Sequence, residues 1–398
     1  MKIGVLTSGF HPDRLDARNR SVWEINSRLK KRGHEVTIIT DTYVPSYERL
    51  GVKVYGLASK SSFGFFSDAQ NIVRNLNLDL CHFYGSLSGA ILFSHFFHDF
   101  SGTAIVGIYD NPLTINDMFN LTTQDLCWSS LSTLHSLLNS AIPSYLVSIH
   151  LRKIEKIILL GDDKRVDSKL LTKKTTIVPH GVDYYKFAQY NLKYAESLKA
   201  HMGFCKNDKI VLYLGHCSPS RGLDDLIASF HIIKKETPKA KLLLVVTPTS
   251  YLGYIQKIIR KYNLTDRVKI VARWVYNPEH YFWLSDVVVV PYRFKDSLRI
   301  PFVLLEAMAS GKPIVATDVA CSSFSFKNEV DGLVVKAGRR DDLASAILKF
   351  LLDDSLAKIC GFNAQTKVKS LDWEVVVEKI ENIYREVTNK NVEKRKNC

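Results

Sequence analysis

The stretch Ser285 to Asp318, SDVVVVPYRFKDSLRIPFVLLEAMASGKPIVATD, decides the fold class. Four valines, Val287 to Val290, end at a proline. A short, wholly apolar, β-branched run of that kind is the signature of a parallel strand buried on both faces. A polar loop follows, then a short helix from about Pro301, where a missing N–H costs nothing in the first turn, and Gly311 suits the helix end. A second apolar run, Pro313 to Ala316, completes a β-loop-α-β unit. In such a unit the loop and the helix N-terminus lie at the carboxyl edge of the sheet, where open α/β folds bind ligands and free backbone N–H groups attract anions. Glu306 stands out because it shares the apolar face of Phe302, Val303 and Leu305, where a carboxylate is costly unless a partner pairs with it. A solvated helix position is the alternative reading.

Working outward, alternation continues on both sides. From Lys209 the pattern reads strand IVLYLG, loop HCSPSRG, helix Leu223 to Lys235, strand Lys241 to Val246, helix Tyr251 to Tyr262 and strand Val268 to Ala272. After the opening unit come strand Gly332 to Val335, helices Asp341 to Leu352 and Ser355 to Lys369, and a last helix near Trp373 to Thr388. The first half opens with strand Lys2 to Thr7, helix from about Ser21 to Lys31, Gly33 as helix stop and strand Glu35 to Thr40, a compact βαβ unit. Strands follow at Lys53 to Leu57, DLCHFYG, Ala104 to Ile108, Lys156 to Leu160 and Thr175 to Val178, and PHGVD (Pro179 to Asp183) reads as the turn out of the first half. Strands alternating with helices in both halves predict two doubly wound parallel sheets. At 398 residues the chain exceeds one ordinary core. The expected division is 1–182, 183–371, a helix over 372–390 crossing back to the first domain, and a disordered tail over 391–398.

The net charge is +14, and its placement is uneven. Residues 1–150 hold 12 Lys and Arg against 12 Asp and Glu, whereas residues 151–300 hold 27 against 14. Such a block favours anionic ligands, nucleotide diphosphates among them, or is a solvated basic surface. No aromatic-basic interleaving of a nucleic-acid module is present, so nucleic acid is not an expected partner. Seven cysteines without a C-x-x-C pair suggest neither a disulfide framework nor a zinc site. Only a short apolar stretch precedes Thr7, so no export leader is expected and the chain reads as cytoplasmic. Leu126 to Leu151 carries no charge for 26 residues but is too polar for a lipid-facing helix; it reads as buried helices or as a surface facing an apolar acceptor. Two phenylalanine clusters, Phe63, Phe65, Phe66 and Phe93, Phe96, Phe97, read as core, or, if exposed, as membrane contact at the inner face of the bilayer.

Two loops carry chemistry. SGFHPDRLDARNR, after the first strand, is long for a βα connection and holds Arg14, Arg18 and Arg20. LGHCSPSRG, Leu214 to Gly222, joins strand to helix with Arg221 just before the helix. Backbone N–H groups, a guanidinium and the His216 imidazole there make a cradle for a diphosphate, although small glycine-bearing turns are common.

Taken with these loops, the chain resembles over almost its whole length the family-four retaining glycosyltransferases, whose GT-B fold sets two Rossmann-like domains face to face. PFVLLEAMASGKPIVATDV is similar to the helix bearing the second glutamate of that family's E-x7-E motif. YLGHCSPSRGLDDLI is similar to its V-G-R-x-x-x-x-K-G loop, VPHGVD to its I-P-N-G-V-D hinge, RGHEVTIIT to its first helix-to-strand turn, and DGLVV to its C-terminal end. The resemblance implies a transferase that takes a sugar from a nucleotide diphosphate held by the second domain and passes it to a glycan or lipid-linked acceptor on the first. It implies that Glu306 bonds the ribose hydroxyls, that Arg221 and His216 face the diphosphate, and that Gly215, Arg273, Trp274, Pro301 and Phe302 complete the donor site. Gly9, Arg18, Arg20, Tyr109 and Asp110 are implied on the acceptor side.

Three departures accompany the resemblance. The first glutamate of E-x7-E is replaced by Leu298, with Asp296 or Arg299 as the expected substitute for the lost sugar contact and Ser297 beside them in the donor site. His216 stands for arginine, and imidazole is mostly neutral at pH 7. Tyr109 and Asp110 end the strand AIVGIYD where many members carry a histidine. A non-catalytic relative that binds a nucleotide sugar or glycan as a partner subunit is therefore the alternative. No D-x-D motif is present outside GDDKRVD, so neither a metal nor a cofactor beyond the nucleotide sugar is expected.

Overall fold

A computed structural model describes residues 1–11, 17–42, 46–59, 61–108, 142, 144–161, 171–294, 300–322 and 324–396. It contains two sheets. The first comprises β1 (Lys2–Thr7), β2 (Glu35–Thr40), β3 (Tyr47–Arg49), β4 (Val52–Gly56), β5 (Leu80–Gly85), β6 (Thr103–Ile108), β7 (Lys156–Leu159) and β8 (Thr175–Ile177), in the order β3-β4-β2-β1-β5-β6-β7-β8. Every pairing is parallel except the β3–β4 edge. The second comprises β9 (Lys209–His216), β10 (Ala240–Thr247), β11 (Val268–Ala272), β12 (Val287–Val290), β13 (Ile314–Thr317) and β14 (Leu333–Val335), all parallel, in the order β11-β10-β9-β12-β13-β14. The order reverses at β1/β5 and at β9/β12, and such switch points open crevices at the carboxyl ends of the strands.

The helices of the first half are α1 (Ala17–Lys31), α2 (Ser62–Leu76), α3 (Leu87–Phe96) and α4 (Ser144–Leu151). Around and within the second sheet lie α5 (Tyr184–Ala188), α6 (Leu192–His201), α7 (Leu223–Glu236), α8 (Leu252–Lys261), α9 (Glu279–Leu284), α10 (Phe302–Ala309), α11 (Asp318–Cys321), α12 (Arg340–Leu352) and α13 (Asp354–Val368); α14 (Trp373–Lys396) ends the described chain. Each sheet carries a separate apolar core on each face. The four valines of β12 show why that strand has no polar position. Val288 and Val290 enter one core, while Val287 and Val289 enter the other.

Helix α3 and the β3 edge were not anticipated. Leu87–Phe96 buries Leu87, Ala90, Phe93 and Ser94 on one face, but Ile91, Leu92 and Phe96, only partly buried, are apolar as well, so the sequence shows no amphipathic period; Ser86 caps the helix, its side chain accepting from the Gly89 N–H. The aromatic clusters are largely core: Phe65, Phe66, Phe93 and Phe97 are buried, whereas Phe63 is exposed with its ring edge-on to Phe96. Most of the uncharged stretch, 126–141, lies outside the described residues. Among the described residues no helix is long and apolar enough to cross a membrane.

The last helix lies against the first sheet, its Trp373, Val376, Val377, Ile380 and Tyr384 packed with Ile3, Val5, Leu29 and Tyr84. It runs to Lys396, so the expectation of disorder over 391–398 is corrected as far as that residue. The Asn391 amide donates to Thr103 Oγ1 at 3.2 Å and Glu155 Oε1 at 3.4 Å, which ties the final turns to the sheet. The chain crosses between the halves at two points that touch. Val182 N–H donates to the Leu371 carbonyl at 2.9 Å, and Trp373 N–H to the Val182 carbonyl at 3.1 Å. Gly181 is needed there, since a Cβ would sit 2.4 Å from the Trp373 ring.

Candidate functional site

A cavity of about 400 Å³ opens between the halves. Its walls come from the carboxyl ends of β9 and β10, the residues after β11 and β12, the N-terminus of α10, the hinge at Asp183 and Lys186, and Arg20 and Glu24 on α1. The cavity therefore lies at the switch point of the second sheet, closed over by one helix of the first domain.

The α10 wall follows from local sequence. Pro301 precedes the helix and accepts the Leu304 N–H at 3.0 Å, and Gly311 closes it at φ +67°. The first N–H groups of such a helix have no intrahelical acceptor, and Pro301, Phe302 and Val303 line the cavity. Leu304, Leu305, Ala307 and Met308 anchor the helix in the core. Glu306 is only 3% exposed and points to the cavity side. Its carboxylate accepts from Arg20 Nη1 at 2.5 Å, and Arg20 Nη2 lies 3.4 Å from Asp183 Oδ2. Burial pushes the Glu306 carboxyl above the usual carboxylate range, against the pull of Arg20. Arg20 loses solvation too, but the carboxylates of Glu306, Asp183 and Glu24 outweigh that loss and hold its pKa above the ordinary value.

The opposite wall is the loop after β9. Tyr213 Oη donates to the His216 carbonyl at 2.7 Å, and the Arg221 guanidinium lies over the Tyr292 ring at 4.2 Å. Gly222 turns the loop into α7 with φ +66°, and a Cβ there would lie 1.9 Å from the Pro291 carbonyl oxygen. The loop is pinned to the segment after β12. Arg293 N–H donates to the Ser220 carbonyl at 2.9 Å, while its guanidinium pairs with Asp224 at 2.7 Å and Asp225 at 2.5 Å. Arg340 also pairs with Asp225, at 2.8 Å. Desolvation would raise the Asp225 pKa, but bonds from Arg293 and Arg340 bring it below the usual value; burial leaves Asp224 above it.

Of the residues singled out from sequence, Gly215, His216, Arg221, Arg273, Trp274, Pro301, Phe302, Glu306 and Arg20 line this one cavity. Arg20, expected on the acceptor side, is bonded to Glu306 of the donor wall. Gly9 is not among the lining residues; its N–H donates to Asp41 Oδ1 at 2.6 Å. Tyr109, Asp110, Asp296, Ser297 and Arg299 lie outside the described residues, as does the side chain of Arg18. Sequence reasoning missed Asp183, Lys186 and Tyr292 as lining residues, and the Arg293–Asp224–Asp225 brace. Two adjacent aspartates in the first turn of an apolar helix were the available signal for that brace.

The basic block is in part accounted for by chain-end capping. Lys234 Nζ donates to the Tyr262 and Asn263 carbonyls, Lys199 to those of Lys206 and Asp208, and Lys241 to that of Asp266. Arg221 and Arg273 face the cavity.

Residues 195–367 match the family model for glycosyl transferases group 1. The chain is 24% identical over 417 residues to an uncharacterized glycosyltransferase of Methanocaldococcus jannaschii, covering 97% of this chain and 98% of that one. Among solved structures it is similar to sucrose-phosphate synthase from Thermosynechococcus elongatus, with a TM-score of 0.78 and 19% identity over 98% of this chain and 100% of that one. It is also similar to Anabaena HepE in complex with UDP, with a TM-score of 0.74 and 15% identity over 97% of this chain and 100% of that one. With two facing parallel-sheet domains and a cleft between them, the chain has the GT-B fold of these structures, and its second domain, over residues 195–367, matches glycosyl transferases group 1.

Proposed function

We propose that the protein transfers a sugar from a nucleotide-diphosphate sugar to a glycan or lipid-linked acceptor with retention of anomeric configuration. The observation that carries this reading is Glu306, a buried carboxylate on an apolar helix at the edge of the interdomain cavity, facing a loop that presents His216 and Arg221. In this reading the ribose hydroxyls donate to Glu306, and the α10 N-terminus, Arg221 and His216 surround the diphosphate. Arg273 and Trp274 then flank the base. The similarity to a structure in complex with UDP supports a uridine nucleotide as the first to test.

The C1–oxygen bond to the diphosphate breaks while the acceptor hydroxyl oxygen bonds to C1 on the same face. The departing phosphate oxygen takes the hydroxyl proton, so no protein nucleophile is required. The work of the protein is to stabilise charge developing on that phosphate, which preorganised cations and N–H groups do best in a water-poor cleft. Arg221, His216 and the helix N-terminus supply such groups, and the reading needs neither a metal nor a further cofactor. The acceptor side is the first domain, with contact to the inner face of a membrane as a subsidiary proposal that flotation with anionic vesicles tests.

Release of nucleotide from UDP-, GDP- and ADP-sugars, with membranes or glycans present and with or without a chelator, tests the reaction. Donor binding without turnover would favour a partner subunit, the role that Leu298 in place of a glutamate suggests. Glu306→Gln is expected to weaken nucleoside diphosphate binding by roughly 10- to 100-fold, the loss of hydrogen bonds to a charged acceptor, with the fold retained. Unfolding without a selective loss of binding would show that Glu306 is structural.

A further inference from the structure

Arg20 holds one oxygen of the carboxylate that the ribose would use if Glu306 binds it. Its Nη1 lies 2.5 Å from Glu306 Oε1, so two ribose hydroxyls that took both carboxylate oxygens would compete with it for that atom. A carboxylate this buried cannot be left without donors, so in the nucleotide-free protein something must satisfy it. Arg20 does so. It is carried by the first turn of α1, in the first domain, whereas Glu306 belongs to the second.

Arg20 has a second acceptor in reach. Asp183 Oδ2 is 3.4 Å from Nη2, a long contact that leaves room to shorten. The other oxygen, Asp183 Oδ1, accepts from Arg28 Nη2 at 2.9 Å, which fixes the carboxylate in place at the hinge. The Phe302 ring, with its centroid 5.0 Å from the guanidinium carbon, offers a flat face over which the guanidinium can move from one carboxylate to the other. Arg20, Asp183, Phe302 and Glu306 all line the same cavity.

We propose that Arg20 is an intramolecular competitor for Glu306, which the ribose hydroxyls of the donor nucleotide displace, and that Arg20 then pairs fully with Asp183. Arg20 thereby keeps a counter-ion in both states, and Glu306 exchanges one guanidinium donor for hydroxyl donors. The exchange removes an ion pair that joins the two domains and strengthens one at the hinge. Arg20 is thus a positioning residue that sets nucleotide affinity and reports occupancy of the donor site to the hinge. This inference rests on the reading of Glu306 as the ribose acceptor.

The test is calorimetric titration of UDP, GDP and ADP, with the tightest binder then compared with its 2′,3′-dideoxy analogue. Arg20→Gln removes the competitor and is expected to tighten binding of the ribonucleotide roughly threefold to tenfold, with little change for the dideoxy analogue. Asp183→Asn removes the fallback acceptor, holds Arg20 on Glu306, and is expected to weaken the ribonucleotide by a similar factor. A purely structural role for this cluster would weaken binding in both variants, and that result overturns the exchange. Asp183→Asn decides alone should Arg20→Gln not fold, since unchanged or tighter binding there also overturns it. Glu306→Gln separates the two levels. If it leaves the preference for the hydroxyls intact, the ribose reading falls and the exchange with it; if it abolishes the preference while Arg20→Gln fails to tighten binding, only the exchange falls. Failure of all three diphosphates to bind the wild-type protein overturns both.

Discussion

Replacing Gly222 with alanine tests whether the loop after β9 is the element that holds the cations facing the diphosphate. At φ +66° the residue is in the left-handed region, and a Cβ would lie 1.9 Å from the Pro291 carbonyl oxygen and 3.1 Å from its carbon. Relief of that overlap needs a retreat of about 1 Å. A Cβ in the left-handed region costs about 1–2 kcal/mol, and overpacking of a filled site a further ~1–3 kcal/mol, so the expected destabilisation is about 2–5 kcal/mol. The strain cannot be absorbed behind the loop, because Arg293 holds the Ser220 carbonyl at 2.9 Å and is itself clamped by Asp224 and Asp225. Part of it is therefore relieved toward the cavity, carrying Arg221 with it. A displacement of about 1 Å at a reacting centre is enough to lower a rate by about 100-fold. Urea titration should show the stability loss, and calorimetry with a nucleoside diphosphate should show an affinity at least roughly tenfold lower. Wild-type stability together with wild-type affinity would refute the argument. A stability loss with unchanged affinity would place the relief in the β12 end and break the link to the phosphate site.

The ion pairs that brace the molecule give two further predictions. Arg293→Met leaves Asp224 and Asp225 buried with Arg340 alone for support, and should destabilise by about 3 kcal/mol in denaturant titration; a change below about 1 kcal/mol would mean the brace is dispensable. Glu381 is bonded to Arg32 at 3.1 Å, His34 at 3.0 Å and Arg385 at 2.6 Å, and these partners, against the effect of burial, hold its pKa at about 2. Because that value is depressed from the ordinary 4.5, its stabilisation is complete above pH 4.5 and is lost as the pH falls toward 2. Glu381→Gln should therefore cost about 1–3 kcal/mol at neutral pH and flatten the acid limb of the stability curve, and an identical acid limb in wild type and variant would contradict the assignment.

Much of this was readable from residues close together in the chain. The valines of β12, the proline and glycine bounding α10 and the alternation on either side gave two doubly wound sheets, and Glu306 among apolar neighbours was visibly out of place. What local pattern cannot show is a partner far away in sequence. Arg20 and Glu306 are 286 positions apart and in different domains, so a loop rich in arginine pointed to an active cleft but not to that pair. Helix α3 escaped for a different reason: Ile91, Leu92 and Phe96 are apolar although only partly buried, so the polar stripe that marks a surface helix is missing. The reach of α14 to Lys396 depends on Asn391 meeting Thr103 and Glu155, again a contact between distant parts of the chain. The basic block reads either as a field for anionic ligands or as a solvated surface; several of its lysines instead close the ends of nearby helices and loops by donating to backbone carbonyls of other residues.

The return of α14 to the first sheet has a consequence for the order in which the molecule can be completed. Trp373, Val376, Ile380 and Tyr384 are core residues of a domain whose strands lie within the first half of the chain. During synthesis the first half emerges with that face of its sheet uncovered, and it stays so while the whole second domain is made. The earliest domain to appear is thus the last to finish, and until α14 emerges its exposed apolar face is a surface on which chaperones, or other unfinished copies, can act.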